Sequence, residues 1–151
     1  MGFHRHCDGN GGGCLNLVIG PGVVEWVAKQ TNEFGNFGCA VGIGLQKDGE
    51  IVAGVAYNDY NGPNISAHIA INGRINRRFI WAIFDYPFNQ AKVNRVTCLI
   101  GEGNVRSRKL CEHFGFKEEA RLSGAHPTGD LLIYRLFRHE CRWLELKHEP
   151  F

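Results

Sequence analysis

Three groups of side chains in this 151-residue chain have types and spacings that could do chemistry. The first is Asn72-Gly-Arg-Ile-Asn-Arg-Arg78, set between a β-like apolar run and a helical one. Backbone amides at a helix N-terminus bind anions. Arg77 and Arg78 there oppose the helix macrodipole. An anionic ligand held by Arg74, Arg77 and Arg78 in charge-assisted bonds would resolve that conflict; the alternative is a solvated basic helix start. The second group is titratable. His68 belongs to the residue type whose pKa suits proton transfer near neutrality. Cys111 carries a thiol of pKa ~8.5, able to give up a proton or take an acyl group, unless it is a small core residue beside Leu110 and Phe114. The third group is His4, His6, Cys7 and Cys14. Imidazole and thiolate suit zinc, but the spacing fits no standard zinc module. The glycines around Asn10 would make ordering costly. Residues 1–14 are therefore expected to form a flexible arm, with no metal.

The elements along the chain must position these groups. Leu15 to Ile19 reads as a strand, and Gly20-Pro21 opens a helix because proline suits the first helical position. Cys39–Leu45 and Ile51–Tyr57 flank Asp48-Gly49, a strong hairpin signal. Asn61-Gly62-Pro63 turns the chain into a third strand, Ile65–Ile71. Phe79, Ile80, Ile83, Phe84 and Phe88 recur at helical spacing, and Pro87 should kink or end that helix. Arg95–Ile100 is a strand with Val96, Cys98 and Ile100 on one face. Asn104 is a good N-cap for a helix with an apolar stripe of Val105, Leu110, Cys111 and Phe114 and a basic one of Arg106, Arg108, Lys109 and His113. Gly115 sits where a C-cap glycine belongs. Two more strands follow, about 118–125 and 131–139. A helix joins strand 65–71 to strand 95–100, so those two should be parallel neighbours. The remaining strands are hairpin-connected. The fold class is α+β: a mixed, mostly antiparallel sheet with flanking helices.

Composition narrows the function classes. The chain is 44% hydrophobic, too apolar for a disordered protein. No apolar run reaches the length of a membrane span. The N-terminus has no apolar signal core; with a chain that is not small, the six cysteines read as reduced thiols in a cytoplasmic setting. A net charge of +2 is too small to imply nucleic acid by itself. A nucleic-acid surface built on Arg74, Arg77, Arg78, Arg106 and Arg108 lacks interleaved aromatics and is not expected.

Phe84-Asp-Tyr-Pro-Phe88, Asn94-Arg95-Val96, Asn104 leading to Phe114-Gly115-Phe116, and Glu118-Glu119-Ala-Arg121-Leu122 resemble the GNAT acyltransferase superfamily. The nearest branch is that of the ribosomal-protein N-acetyltransferases. Tyr134-Arg-Leu-Phe-Arg-His-Glu-Cys-Arg-Trp-Leu144 is similar to compact bacteriophage-encoded members. The resemblance spans roughly 15–144, within a single expected domain of 15–151. It implies a central splayed parallel pair and transfer of an acetyl group from acetyl-CoA to a primary amine: a protein N-terminus, a lysine or a small molecule. It implies that Ala67, His68, Ile69, Ala70 and Ile71 pair with pantetheine. Gly73, Arg74, Ile75, Asn76, Arg77 and Arg78 would hold the pyrophosphate, and Asn104 and Ser107 would contact CoA. The loop departs from the family's glycine-rich form, with only Gly73 present. His68 would face the thioester, Asp59 and Tyr60 would line the acceptor pocket, and Cys111 stands where many members carry tyrosine. Direct attack by the amine is the expected route, with His68 and Cys111 the candidate catalytic groups. The alternative is a catalytically inactive module that binds CoA or a partner protein. Apolar Tyr134, Leu136, Phe137, Trp143 and Leu144 near the terminus suggest a homodimer, and a phage-encoded protein would act in the host cytoplasm.

Overall fold

The computed structural model describes residues 14–31 and 37–146. The strands are β1 (Leu15–Ile19), β2 (Val41–Lys47), β3 (Glu50–Asn58), β4 (Asn64–Ile71), β5 (Arg95–Gly101), β6 (Lys117–His126) and β7 (Gly129–Phe137). The helices are α1 (Pro21–Thr31), α2 (Arg77–Asp85) and α3 (Val105–Phe114). One seven-stranded sheet runs in the order β1-β2-β3-β4-β5-β7-β6. Only β4 and β5 pair in parallel. The expected α+β architecture therefore holds.

Local chemistry explains the boundaries. Asp48 and Gly49 have φ of 51° and 83°, the two positive values that a two-residue hairpin turn of matching twist requires. Asn76 caps α2 by accepting from the Phe79 amide at 2.9 Å. The helix stops at Asp85, and Tyr86–Gln90 continues as one π-helical turn containing Pro87, which has no amide to continue an α-ladder. Asn104 accepts from the Ser107 amide at 3.2 Å, and Gly115, at φ 101°, closes α3 in the left-handed conformation.

Helix α1 lies on one face of the sheet, seated on three glycines. A Cβ at Gly42, Gly44 or Gly54 would come within 2.8, 2.9 and 3.0 Å of Gly20 O and the Val23 side chain. Helices α2 and α3 cover the other face. Phe79, Ile83, Phe84, Phe88, Phe114, Leu132 and Leu136 are buried in that core, and the Phe84 and Phe114 rings meet edge-on at 5.5 Å. The structure bears on two further expectations. Trp143 packs on Phe84 and Phe114 and donates from Nε1 to Phe114 O at 2.7 Å, while Tyr134 and Leu136 are 1% and 0% exposed. Tyr134, Leu136 and Trp143 are thus covered within the chain itself, so their apolar character alone does not call for a partner. Cys14 is disulfide-bonded, against the expectation of reduced thiols throughout; Cys39, Cys98, Cys111 and Cys141 are free. His4, His6 and Cys7 lie outside the described residues, as does the expected arm apart from Cys14. No described helix is long and apolar enough to cross a membrane, and no cluster of metal-ligating side chains occurs among the described residues.

Candidate active site

The ladder between β4 and β5 covers only Asn64↔Arg95, Ile65↔Val96 and Ser66↔Thr97. Past Ser66, β5 gives β4 no partner, although β4 runs to Ile71 and β5 to Gly101. The closed end is fastened by Thr97, whose hydroxyl donates to Asn64 Oδ1 at 2.6 Å. Beyond it the strands diverge around a narrow cleft of about 30 Å³. Its walls are Ala67, His68 and Ile69 of β4, Cys98, Leu99 and Ile100 of β5, Asn104, Ser107, Leu110 and Cys111 around α3, and Thr31 at the end of α1. Backbone polar groups on the splayed side of a strand are the obligatory kind that must find a partner. An extended molecule carrying amides can supply that partner, as an added strand does.

The basic loop opens at the wide end of this wedge. Gly73 has no positive φ, and a Cβ there would meet Val52 Cβ at 3.1 Å, a tight contact to which Val52 would have to yield. Arg74 and Arg77 are exposed and Arg78 is half-buried, where burial lowers its pKa from the ordinary guanidinium value. Ile75 packs against the core and Asn76 is committed to its cap. Ala70 turns toward α1, beside Val23, Val27 and Ala56, and does not line the cleft. A further cation reaches the mouth from α3. Arg106 Nη2 donates to Ile71 O at 2.6 Å and to Asn72 Oδ1 at 3.2 Å, tying the end of β4 to the first turn of α3. In the sequence Arg106 is legible as part of the basic stripe of α3 and of the unexpected nucleic-acid surface, not as a contact to the end of β4. Its neighbour Arg108 is also turned to structural use, donating to Tyr134 OH and Glu102 O.

His68 is held from two sides. Its ring stacks on Phe37 with centroids 4.0 Å apart, and its Nε2 lies 3.0 Å from Asn58 Oδ1. Asn58 Nδ2 donates to Phe37 O at 3.1 Å, so Oδ1 is the acceptor. The network then assigns the hydrogen to Nε2 and leaves the lone pair on Nδ1. Burial lowers the His68 pKa to about 4, against an opposing push from the Asp59 charge. Asp59 sits at φ 54°, a left-handed conformation uncommon for a residue with a side chain. Asp59 and Tyr60 are both exposed in the β3–β4 turn, and neither lines the cleft. Tyr60 OH donates to Ala91 O at 3.4 Å.

Cys111 is 3% exposed and lies on the apolar stripe of α3, yet it also reaches the cleft wall. It is hydrogen-bonded to Cys98; that bond, with burial, holds the Cys98 thiol well above its ordinary pKa. Ser107 is one helical turn earlier on the same wall. The structure thus gathers His68, Cys111, Ser107 and Asn104 around one cleft, adds Thr31 and Cys98 to its wall, and sets Phe37 against His68. No motif in the sequence marks these last three, because they arrive from elements far apart in the chain.

No family model matches this chain, and no curated protein matches it in sequence. Solved structures match its shape. One is an acetyltransferase of the GNAT family from Bacillus anthracis, with TM-score 0.54, 18% identity and 66% of this chain on 67% of that one. Another comprises mutant forms of the spermidine/spermine N-acetyltransferase SpeG from Vibrio cholerae, with TM-score 0.65, 14% identity and 83% of this chain on 95% of that one. A third is the Campylobacter jejuni N-acetyltransferase PseH in complex with acetyl coenzyme A, with TM-score 0.51, 14% identity and 66% on 68%. The chain has the GNAT fold.

Proposed function

We propose that this chain is an N-acetyltransferase that moves an acetyl group from acetyl-CoA to a primary amine by direct attack. The observation that carries the proposal is the parallel pair that stops pairing after Ser66↔Thr97 and opens a cleft walled by Ala67, Asn104, Ser107 and Cys111. Pantetheine amides would complete the unpaired edge of β4. Arg74, Arg77, Arg78 and Arg106 surround the place where the pyrophosphate would lie and supply by charge what the missing glycines would have given by close approach. A backbone N–H of the splayed edge would hold the oxyanion that develops on the thioester carbonyl.

The protons follow from the site's electrostatics. An ammonium acceptor has a pKa of about 8 for an α-amine and about 10.4 for lysine. An imidazole titrating at about 4 is too weak a base to deprotonate either. The amine therefore arrives neutral from solvent, and His68 Nδ1 orients it by accepting a hydrogen bond. The leaving thiolate takes its proton from the attacking nitrogen through water, so neither Cys111 nor Ser107 need be an acid. Proximity of the two reactants supplies up to ~7–11 kcal/mol of the acceleration. The Vibrio neighbour is described as acting on spermidine and spermine. Among the described residues no acid lines the cleft here; Asp59 is exposed in the β3–β4 turn and Glu102 Oε2 already accepts the Asp130 amide at 3.0 Å. A singly charged amine, a protein N-terminus or a lysine, fits this pocket better than a polycation.

A second reading, a CoA-binding module without turnover, is favoured by the site's chemistry: a buried thiol, Cys111, stands where the resemblance implies tyrosine, and His68 is a weak base. Thiol release from acetyl-CoA with an N-terminal peptide, a lysine peptide and spermidine decides, together with calorimetry using CoA. Amine-dependent release supports the transferase. Binding without release supports the module, and neither binding nor release overturns both.

A further inference from the structure

A second cavity, of about 230 Å³, lies between the β1–β2 end of the sheet and the C-terminal half of α2, and shares no wall with the cleft. Leu17 and Ile43 form one wall and Ala82 and Tyr86 the other, so the lining is overwhelmingly apolar. Into this lining the chain places one carboxylate. Asp85 is 8% exposed, the only charged side chain among the described residues that is buried to this degree. Among the described residues it forms no ion pair: Oδ1 accepts from Asn89 Nδ2 at 2.8 Å and Oδ2 from Gln90 Nε2 at 2.9 Å. Both amides come from the π-helical turn, a feature often kept where it serves a site. Two neutral donors leave roughly half of a carboxylate's acceptor sites open. A buried charge without a cation is costly, and no step of acetyl transfer uses this one.

We infer that this cavity is a binding site for an apolar organic cation, an ammonium group on an aliphatic or aromatic body, with Asp85 as its counter-charge. The ammonium would occupy the open acceptor sites of Asp85, and the hydrocarbon would displace water from Leu17, Ile43 and Ala82. Apolar pockets of this kind take their specificity from a few placed polar groups. Here the single charged group selects for positive charge. The mouth is open, since Ile19 on its lining is 69% exposed.

The test uses N,N-dimethylhexylamine, which is cationic at pH 7 and cannot serve as an acetyl acceptor, with 1-hexanol as the neutral comparison. Titration of the full chain, followed by amide chemical shifts, should show saturable binding of the amine that perturbs Ala82, Asp85 and Tyr86. The alcohol should bind about tenfold or more weakly, the scale of a hydrogen bond to a charged group. Asp85→Asn should reduce the amine to the level of the alcohol. Ala82→Phe, which fills the cavity and leaves Asp85 in place, should abolish binding of both while circular dichroism confirms the fold. Equal affinity for amine and alcohol, no saturable binding of the amine, or amine binding that survives Ala82→Phe would each overturn the inference. If Asp85→Asn fails to fold, the amine–alcohol difference and the Ala82→Phe variant decide without it.

Discussion

At His68, burial and function pull in one direction. Its folded pKa of about 4 lies below the unfolded value of 6.5. Between those values the unfolded chain binds a proton that the folded chain does not. Stability therefore rises with pH across this window and is lost as pH falls through it, by up to ~3 kcal/mol from this group. His68→Gln should flatten that part of the stability profile, as read by urea unfolding at pH 4.5 and 7. The same shift predicts that kcat/KM shows no inflection from His68 near pH 6.5. Its rise should follow deprotonation of the amine acceptor, so an α-amine peptide and a lysine peptide should differ in midpoint. Cys111 is the other decisive residue. If it is a core thiol that merely borders the cleft, Cys111→Ser should retain most of kcat and lose about 1–3 kcal/mol of stability, because a hydroxyl replaces a thiol among apolar neighbours. A fall in kcat of ~10²-fold, together with stoichiometric acetylation of Cys111 on mixing with acetyl-CoA alone, would establish a covalent route instead.

The elements around the cleft were legible where local signals are strong. Asp48-Gly49, the caps at Asn76 and Asn104, Gly115 and the period change after Ile71 each state their structure over a few residues, and β4 and β5 follow from the crossover rule. Less legible were features that depend on what arrives from elsewhere. Arg106 reads as one charge on a basic stripe, and only the splay of β4 gives it the Ile71 carbonyl to bind. Gly73 reads as a phosphate-loop glycine, and only the fold shows that Val52 on the neighbouring strand crowds the space beside it. Phe37 carries no signal in sequence that it will stack on His68. For the loop before α2, the account predicts that changing Arg77 and Arg78 together to Ala weakens CoA about tenfold or more by calorimetry, with steeper dependence on salt in the parent than in the variant. Equal affinity in a folded variant would remove the phosphates from this loop.

Across the whole molecule, one sheet carries two unlike faces. Glycines 42, 44 and 54 let α1 lie close on one, and large aromatic residues of α2 and α3 fill the other. The parallel pair sits at the centre of the strand order, between hairpins that hold both of its outer edges. The wedge is thus framed by rigid ladders, which makes it a place where a ligand finds a preformed edge. The most direct measurement of the central claim is the amide spectrum of the labelled chain titrated with acetyl-CoA. Saturable shifts at Ala67, His68, Ile69, Asn104 and Ser107, with the closed end at Asn64 and Thr97 moving less, are the predicted result. Shifts absent from these residues, or confined to another face of the sheet, would contradict the account.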